Sequence, residues 1–400
     1  MIKMLTAVSF KEDEPGLAAA EIQEQLAGQG GFLKNSVGLL FCSLDFLPSQ
    51  VMQAVCSVLP FAVLGCTTTG GAIPGKRGGV ILNLTVLTSD DIQFRAGFSE
   101  PLAGEEDERI TRMYRSLSQG LSPSLILMFL PSLVNLPGDA AVSVLDREAR
   151  GAPLFGIGAL DMDTKIRTPK TFFNGQVFDD RMTAVLCFGA LKPRFIMNTI
   201  WTEEILCRRA RITASDGNRI IRINDKPAAD YLRENGLLFE DKLDMLFMFP
   251  LALDAEEGEP PSMCIIYTLH DDGSLTCSTN IPEGSTLRVI SPSAAQVFKT
   301  AKSISRAAWG QPPRDPLLIF SCVSRSIVLE YLDDELGVIQ EELEALGGGD
   351  YAITYAGGEI CPVYQRGALV NRYHNYGIIA CLLSQDGENP GGRDNLKEEV

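Results

Sequence analysis

The chain predicts an α/β protein of two domains, each a mixed β-sheet flanked by helices. Three observations carry that expectation. Apolar runs without polar alternation, such as Val37–Cys42, Phe61–Cys66, Ser124–Leu130 and Leu317–Cys322, have the length and continuity of strands buried on both faces. Segments with apolar residues at helical spacing lie between many of them. A Lys192-Pro193 step then separates two halves, each with its own set of strands and helices. At 400 residues the chain exceeds one ordinary domain, and a 45% hydrophobic content is enough for cores of that size. The expected extents are 1–192 and 193–384, followed by a polar tail or linker over 385–400.

The elements follow in order. Met1–Phe10 reads as a first strand. Gly16–Gly28 carries Leu17, Ala20, Ile22 and Leu26 on a helical stripe closed by Gly28. Pro48–Val58 is helical between the strands Val37–Cys42 and Phe61–Cys66, which makes a βαβ unit and a parallel pair. Val80–Leu87 and Ile92–Phe98 alternate like the strands of a hairpin around Ser89-Asp90-Asp91. Glu105–Leu117 is an exposed helix, Ser124–Leu130 a strand, Leu136–Ala149 a helix and Pro153–Gly158 a strand. Thr171–Ala190 holds two more strands around Asn174-Gly175.

The second half opens with strands at Phe195–Trp201, Arg208–Ser215 and Ile220–Asp225, then a short helix from Pro227 to Leu232 with proline in its first turn. Strands recur at Leu246–Phe249, Ser262–Thr268, Ser274–Ser278 and Thr286–Ile290. Ser293–Ala308 is a helix, Leu317–Cys322 a buried strand, and Ile327–Leu346 the longest helix. Tyr351–Tyr355 and Asn375–Leu383 are the last strands. The halves are loosely alike, with Leu125–Leu130 matching Leu317–Cys322. Duplication is one reading of that likeness, and chance similarity of strand runs is the other.

Composition narrows the function classes. The net charge is −16 and no run of five Lys or Arg occurs, which argues against nucleic acid and anionic membrane as partners. No stretch of 18 apolar residues is present, so no membrane-spanning helix is expected. The N-terminus runs into Lys11-Glu12-Asp13-Glu14 without the long apolar core of a secretory signal, and a cytoplasmic protein is expected. The ten cysteines include no Cys-x-x-Cys pair and sit mostly in apolar runs, as free buried thiols of a reducing compartment do. With only His270 and His374 as histidines, no metal site is expected, and no motif calls for a cofactor.

Polar residues cluster at a few expected strand ends. Gly65-Cys66-Thr67-Thr68-Thr69-Gly70-Gly71 follows a buried strand, where α/β sheets place ligands; a plain Gly/Thr turn reads the same residues equally well. Gly156-Ile157-Gly158 suits close strand packing better than a dinucleotide, because the third glycine is missing. Arg325 follows Phe320-Ser321-Cys322-Val323-Ser324. A guanidinium there suits a bidentate grip on a carboxylate, and a surface ion pair with Glu330 or Asp333 is the alternative. Glu359 lies in Gly357-Gly358-Glu359-Ile360-Cys361-Pro362, where it would take an ammonium group or pin the turn. His374-Asn375 precedes the last strand. No catalytic residue is expected; the rival is a thiol hydrolase using Cys322 or Cys361 with His374 as base.

The order of these pieces resembles the FIST family, in its N and C halves, over roughly residues 30 to 384. The matching segments are Gly65–Gly70, Gly78-Gly79-Val80, Pro153–Gly158, Phe173–Val177, Ile212–Asn218, Asp225–Ala228, Phe320–Arg325, Gly358-Glu359-Ile360 and His374-Asn375. The resemblance implies an input module for signal transduction that binds a small ligand, an amino acid or other small carboxylate. Its output would be a partner protein or domain such as a histidine kinase, a diguanylate cyclase or a chemotaxis receptor. Arg325 would hold the carboxylate and Glu359 the amine. Thr67, Thr68 and Asn375 would orient the ligand, and Cys66 and His374 complete the expected binding set. Two departures stand out. Trp201–Arg208 lacks the glycine usual before the Thr-x-x-x-Gly-Asn run, and no transmitter domain follows residue 384, as in a stand-alone protein or a chain cut short. A protein-binding scaffold without a ligand is the third function class.

Overall fold

A computed structural model describes residues 2–131, 136–161, 169–200, 209–238, 249–254, 261–310, 314–330 and 334–385. Its strands and helices repeat one order three times. Unit one runs β1 (Ile2–Ser9), α1 (Pro15–Ala27), β2 (Asn35–Cys42), α2 (Val51–Ser57), β3 (Val63–Thr67), the hairpin β4 (Gly71–Ile73) and β5 (Lys76–Gly78), then β6 (Leu82–Ser89). Unit two repeats it as β7 (Gln93–Phe98), α3 (Glu106–Ser118), β8 (Leu125–Leu130), α4 (Gly138–Glu148), β9 (Leu154–Gly158), β10 (Thr171–Phe173), β11 (Gln176–Phe178) and β12 (Thr183–Phe188).

Unit three begins with β13 (Arg194–Thr199) and is then interrupted by an insert. The insert comprises β14 (Ala210–Asp216), β15 (Arg219–Ile223), β16 (Lys226–Pro227), α5 (Ala228–Glu234), β17 (Leu251–Leu253), β18 (Ser262–Cys264), β19 (Ile266–Leu269), β20 (Leu275–Cys277) and β21 (Thr286–Val289). The unit resumes with α6 (Ala294–Trp309), β22 (Leu317–Cys322), α7 (Val323–Val328), α8 (Glu335–Ala345), β23 (Tyr351–Ala356), the hairpin β24 (Glu359–Gln365) and β25 (Ala368–His374), and β26 (Gly377–Leu382).

Each unit builds a sheet of the same plan. The orders are β1-β6-β2-β3-β10-β11, β7-β12-β8-β9-β24-β25 and β13-β26-β22-β23-β4-β5. The central pair is parallel in all three: β2 with β3, β8 with β9, and β22 with β23. The hairpin that completes each sheet comes from another unit. Unit two lends β10–β11 to sheet one, unit three lends β24–β25 to sheet two, and unit one lends β4–β5 to sheet three. The expected parallel pair is therefore present, and Leu125–Leu130 and Leu317–Cys322 do occupy equivalent places, with β2 as a third.

The apolar runs are continuous because each central strand is covered on both faces. Alternate residues Val37, Leu39 and Phe41 of β2, Leu125, Leu127 and Phe129 of β8, and Leu318 and Phe320 of β22 meet in one central core. Phe41 stands edge-on to Phe129 at 5.4 Å and to Phe320 at 5.6 Å between ring centroids. The intervening residues face outward onto helices: Leu40 and Cys42 onto α1 and α2, Ile126 and Met128 onto α3 and α4, Leu317 and Ile319 onto α6 and α8. Close strand approach is enforced by glycine in two units. A Cβ on Gly65 would lie 1.8 Å from the Leu40 carbonyl oxygen, and one on Gly156 1.8 Å from that of Met128.

Several expectations are corrected. The segments around residues 80–98 are strands but not a hairpin: β6 pairs with β1 and β2, while β7 pairs with β12 in another sheet. The helix expected over 327–346 is two shorter ones, α7 ending at Val328 and α8 starting at Glu335, and α6 is the longer. Arg325 is on α7, not at a strand end. Gly65, Cys66 and Thr67 belong to β3 itself, and the residues after Gly358 form the hairpin β24–β25. The expected strand at 246–249 and the tail over 385–400 fall, apart from Phe249 and Gln385, outside the described residues.

Candidate functional site

The insert has its own core, from Ala210 to Val289. It leans on unit three through a second apolar seam, in which Ala252, Met263, Ile265 and Ile290 meet Val297, Leu329 and Tyr376. Inside this seam, at the C-terminal ends of parallel β22 and β23, lies a cavity of about 30 Å³. Ile265 and Tyr267 of the insert form one wall. Leu160, Cys322, Val323, Ser324 and Gly357 form the other. Strand C-termini of this kind are where open α/β sheets present ligands. The volume suffices for about two waters, so anything larger must push the insert and body apart.

Glu359 stands immediately behind this wall, at the first position of β24. Its side chain is fully buried. Oε2 accepts the Gly377 N–H at 3.1 Å, while Oε1 has no hydrogen-bond partner. Burial pushes the carboxyl well above the usual range. The neighbouring Cys322 thiol, the Gly377 N–H and Arg325 favour the charged form, and Glu335 opposes it. Burial thus favours the protonated form of a carboxyl whose second oxygen has no partner, a costly arrangement that a hydrogen-bonding partner would relieve.

Arg325 is also fully buried, and its ion-pair partner among the described residues is Glu335 rather than Glu330; Asp333 lies outside the described residues. Nε and Nη2 donate to Glu335 Oε1 at 2.8 and 2.6 Å, and Nη2 also donates to the Val297 carbonyl and Thr300 Oγ1. Ser321 Oγ donates to the other carboxylate oxygen at 3.0 Å. This network ties α6, β22, α7 and α8 together. Nη1 alone is left without a partner, so a ligand carboxylate would find one free donor there, not a fork.

Asn375 joins body to insert. Its Nδ2 donates to the Met263 carbonyl at 3.1 Å and to Ser278 Oγ at 2.9 Å. Asp139 makes a second tie, accepting the Asn280 N–H at 3.0 Å. Next to Asn375, Tyr373 Oη donates to the Gly357 carbonyl at 3.2 Å. His374 points elsewhere: its Nε2 is 3.0 Å from the Cys361 carbonyl, and desolvation lowers the imidazole to about 4.

The remaining expected residues lie a layer away. Cys66 is in the central core, where burial raises its thiol well above normal. Thr67 Oγ1 accepts the Lys170 N–H at 2.9 Å, and the Thr67 carbonyl accepts the N–H of Leu160, a cavity wall residue. Thr68 Oγ1 donates to the Tyr355 carbonyl at 2.8 Å and sits 3.0 Å from Thr354 Oγ1, clasping unit one to β23. Arg325, Glu359 and Asn375 do not themselves line the cavity. Glu359 lies beside the lining residue Cys322, Arg325 sits on α7 in the network with Glu335, and Asn375 ties the body to the insert, while Cys66, Thr67 and Thr68 lie a layer further away.

Burial and then Glu359 push the Cys322 thiol well above the usual thiol range, against the opposing hydrogen bonds of Ser324 and Tyr376. Burial likewise raises the Cys361 thiol. Among the described residues no group of three or more His, Cys, Asp or Glu is placed to hold a metal ion, and no helix is long and apolar enough to cross a membrane. Sequence reasoning missed Tyr267, Tyr373 and Glu335. A buried glutamate on a helix gives no local signal, but Tyr373 beside His374-Asn375 was within the motif already singled out.

The fold and this seam place a small cavity at strand C-termini beneath a β-rich insert. Residues 36–226 match the family model of the FIST N domain and residues 228–362 that of the FIST C domain. The chain belongs to the FIST family, whose domains are sensory modules of signal transduction. Among curated proteins none matches it. The structure of PurLQS from Thermotoga maritima is similar at 10% identity and a TM-score of 0.19, over 96% of this chain and 72% of that one, a likeness too weak to carry an argument.

Proposed function

We propose that this chain is a cytoplasmic sensor for a small amine-bearing ligand, an amino acid or related small carboxylate, bound in the seam between insert and body. The observation that carries this reading is Glu359: a fully buried carboxyl with an unpartnered oxygen, directly behind a cavity wall at strand C-termini. An ammonium group supplies the missing donor and favours the charged carboxylate, and Arg325 Nη1 offers one donor to a carboxylate. Because the cavity is only about 30 Å³, binding must shift the insert, and a partner such as a histidine kinase, diguanylate cyclase or chemotaxis receptor would read that shift.

The test is thermal unfolding against a panel of amino acids and small carboxylates, with Glu359→Gln as the control. A ligand that binds only the folded state at a hundredfold excess over Kd adds about 2.7 kcal/mol of stability. A midpoint rise in the native protein that vanishes in Glu359→Gln is expected. A rise that survives the substitution would remove Glu359 from the site, and no rise with any compound would remove this ligand class.

A further inference from the structure

The cavity wall and the clasp of the insert share one hydroxyl. Tyr373 Oη is 3.2 Å from the Gly357 carbonyl oxygen and 3.5 Å from Asn375 Oδ1, and it interacts with the Tyr267 hydroxyl. Gly357 and Tyr267 line the cavity. Asn375 holds the insert at Met263 and Ser278. A phenol has one proton, so it donates to one of these acceptors at a time.

The ring itself has little room to move. A Cβ on Gly138 would come within 2.3 Å of the Tyr373 ring, and one on Gly358 within 1.7 Å of its oxygen. Both glycines exist at the cost of conformational freedom, Gly358 at φ +107°, and together they let the side chain lie flat between α4 and the Gly357-Gly358 turn. What can change is the proton's acceptor. With the cavity as it stands, the shorter bond goes to the wall. If an occupant displaces Tyr267 or draws the Gly357 carbonyl away, the proton is free to pass to Asn375 Oδ1. That reorients an amide whose other end holds the insert.

We propose that Tyr373 couples occupancy of the seam cavity to the docking of the insert, acting through Asn375 on Met263 and Ser278. Tyr373 and Asn375 are positioning residues here and need not touch the ligand. The proposal rests on the seam cavity being the ligand site, but its test needs no ligand. Ser324→Thr adds one methyl group to the cavity wall and keeps the hydroxyl. Amide hydrogen exchange over residues 262–269, measured on the full chain by mass spectrometry, reports how firmly the insert is docked.

Ser324→Thr is expected to speed exchange over 262–269 by about threefold or more when Tyr373 is present, and to leave it unchanged in a Tyr373→Phe background. Equal acceleration in both backgrounds, or none in either, overturns the coupling. Should Tyr373→Phe not fold, Asn375→Leu takes its place with the same expectation. Thermal unfolding with glycine as probe separates this from the ligand reading. A glycine-induced rise that persists in Tyr373→Phe, with exchange no longer responding to Ser324→Thr, supports both. Absence of any rise bears on the ligand reading, while the exchange result still decides the coupling.

Discussion

Arg325 Nη2 lies 2.6 Å from Glu335 Oε1, and both side chains are completely buried. Taking two charges out of water is expensive, and their attraction repays that cost only with both partners present. Removing one leaves an uncompensated buried charge. Arg325→Ala should therefore destabilise the protein by about 3–5 kcal/mol in urea unfolding. Arg325→Met combined with Glu335→Leu should recover most of that loss, because no charge is left stranded. A double variant no more stable than Arg325→Ala would mean that the bonds to Val297, Thr300 and Ser321, rather than the ion pair, hold these helices.

Glu359 gives the opposite result to an ordinary buried carboxylate. Its folded-state affinity for a proton is raised by burial above that of the unfolded chain. Stability from this group is complete below the normal carboxylate range and is lost as pH rises toward the folded value, since only the unfolded chain releases the proton readily. Glu359→Gln keeps the shape and removes the titration. The variant should be more stable than the native protein at pH 8 and close to it at pH 4.5, in paired urea titrations. A variant less stable at pH 8 would show Glu359 to be charged and paired in the folded protein.

His374 produces a slope of the other sign at lower pH. Desolvation and Arg372 hold its imidazole down to about 4, against the pull of the Cys361 carbonyl. Between the usual histidine range and about pH 4 the unfolded chain takes up a proton that the folded one refuses. Stability should fall across that window by about 3.4 kcal/mol at most. His374→Gln should flatten this part of the profile. An unchanged slope would place the acid sensitivity in the carboxylates instead.

Much of this architecture was legible because the central strands are apolar on both faces. Val37–Cys42, Leu125–Leu130 and Leu317–Cys322 carry no alternation to confuse with a half-exposed strand, and helical spacing marks the segments between the first two runs and their parallel partners. The hairpin exchange was not legible: Ala72 pairs with Ile353, and nothing near either residue encodes a partner so distant in sequence. Val80–Phe98 misled for the same reason. Local alternation reports a strand but not which sheet receives it. At the site, Arg325, Glu359 and Asn375 stood out as polar residues beside glycine or small residues. Glu335 did not, because a glutamate on an amphipathic helix ordinarily faces water, and only the fold brings it against Arg325.

The exchanged hairpins bear on how the chain comes apart. Cut after residue 192, the N-terminal piece keeps units one and two but loses β24–β25 from sheet two, and its own β4–β5 hairpin loses β23. The central core also loses Phe320, which stacks on Phe155 at 5.0 Å and meets Phe41 edge-on. Sheet two would then expose the β9 edge, an unpaired row of backbone groups prone to aggregation. Thr68 would lose the Tyr355 carbonyl that its hydroxyl now satisfies. The 1–192 fragment should therefore lack a cooperative unfolding transition and should associate in gel filtration. Mixing it with 193–400 should restore cooperativity by re-pairing the two severed hairpins, β4–β5 with β23 and β24–β25 with β9. A monomeric fragment unfolding in one sharp step would show that β1–β12 close a core of their own and that the exchange contributes little to holding the units together.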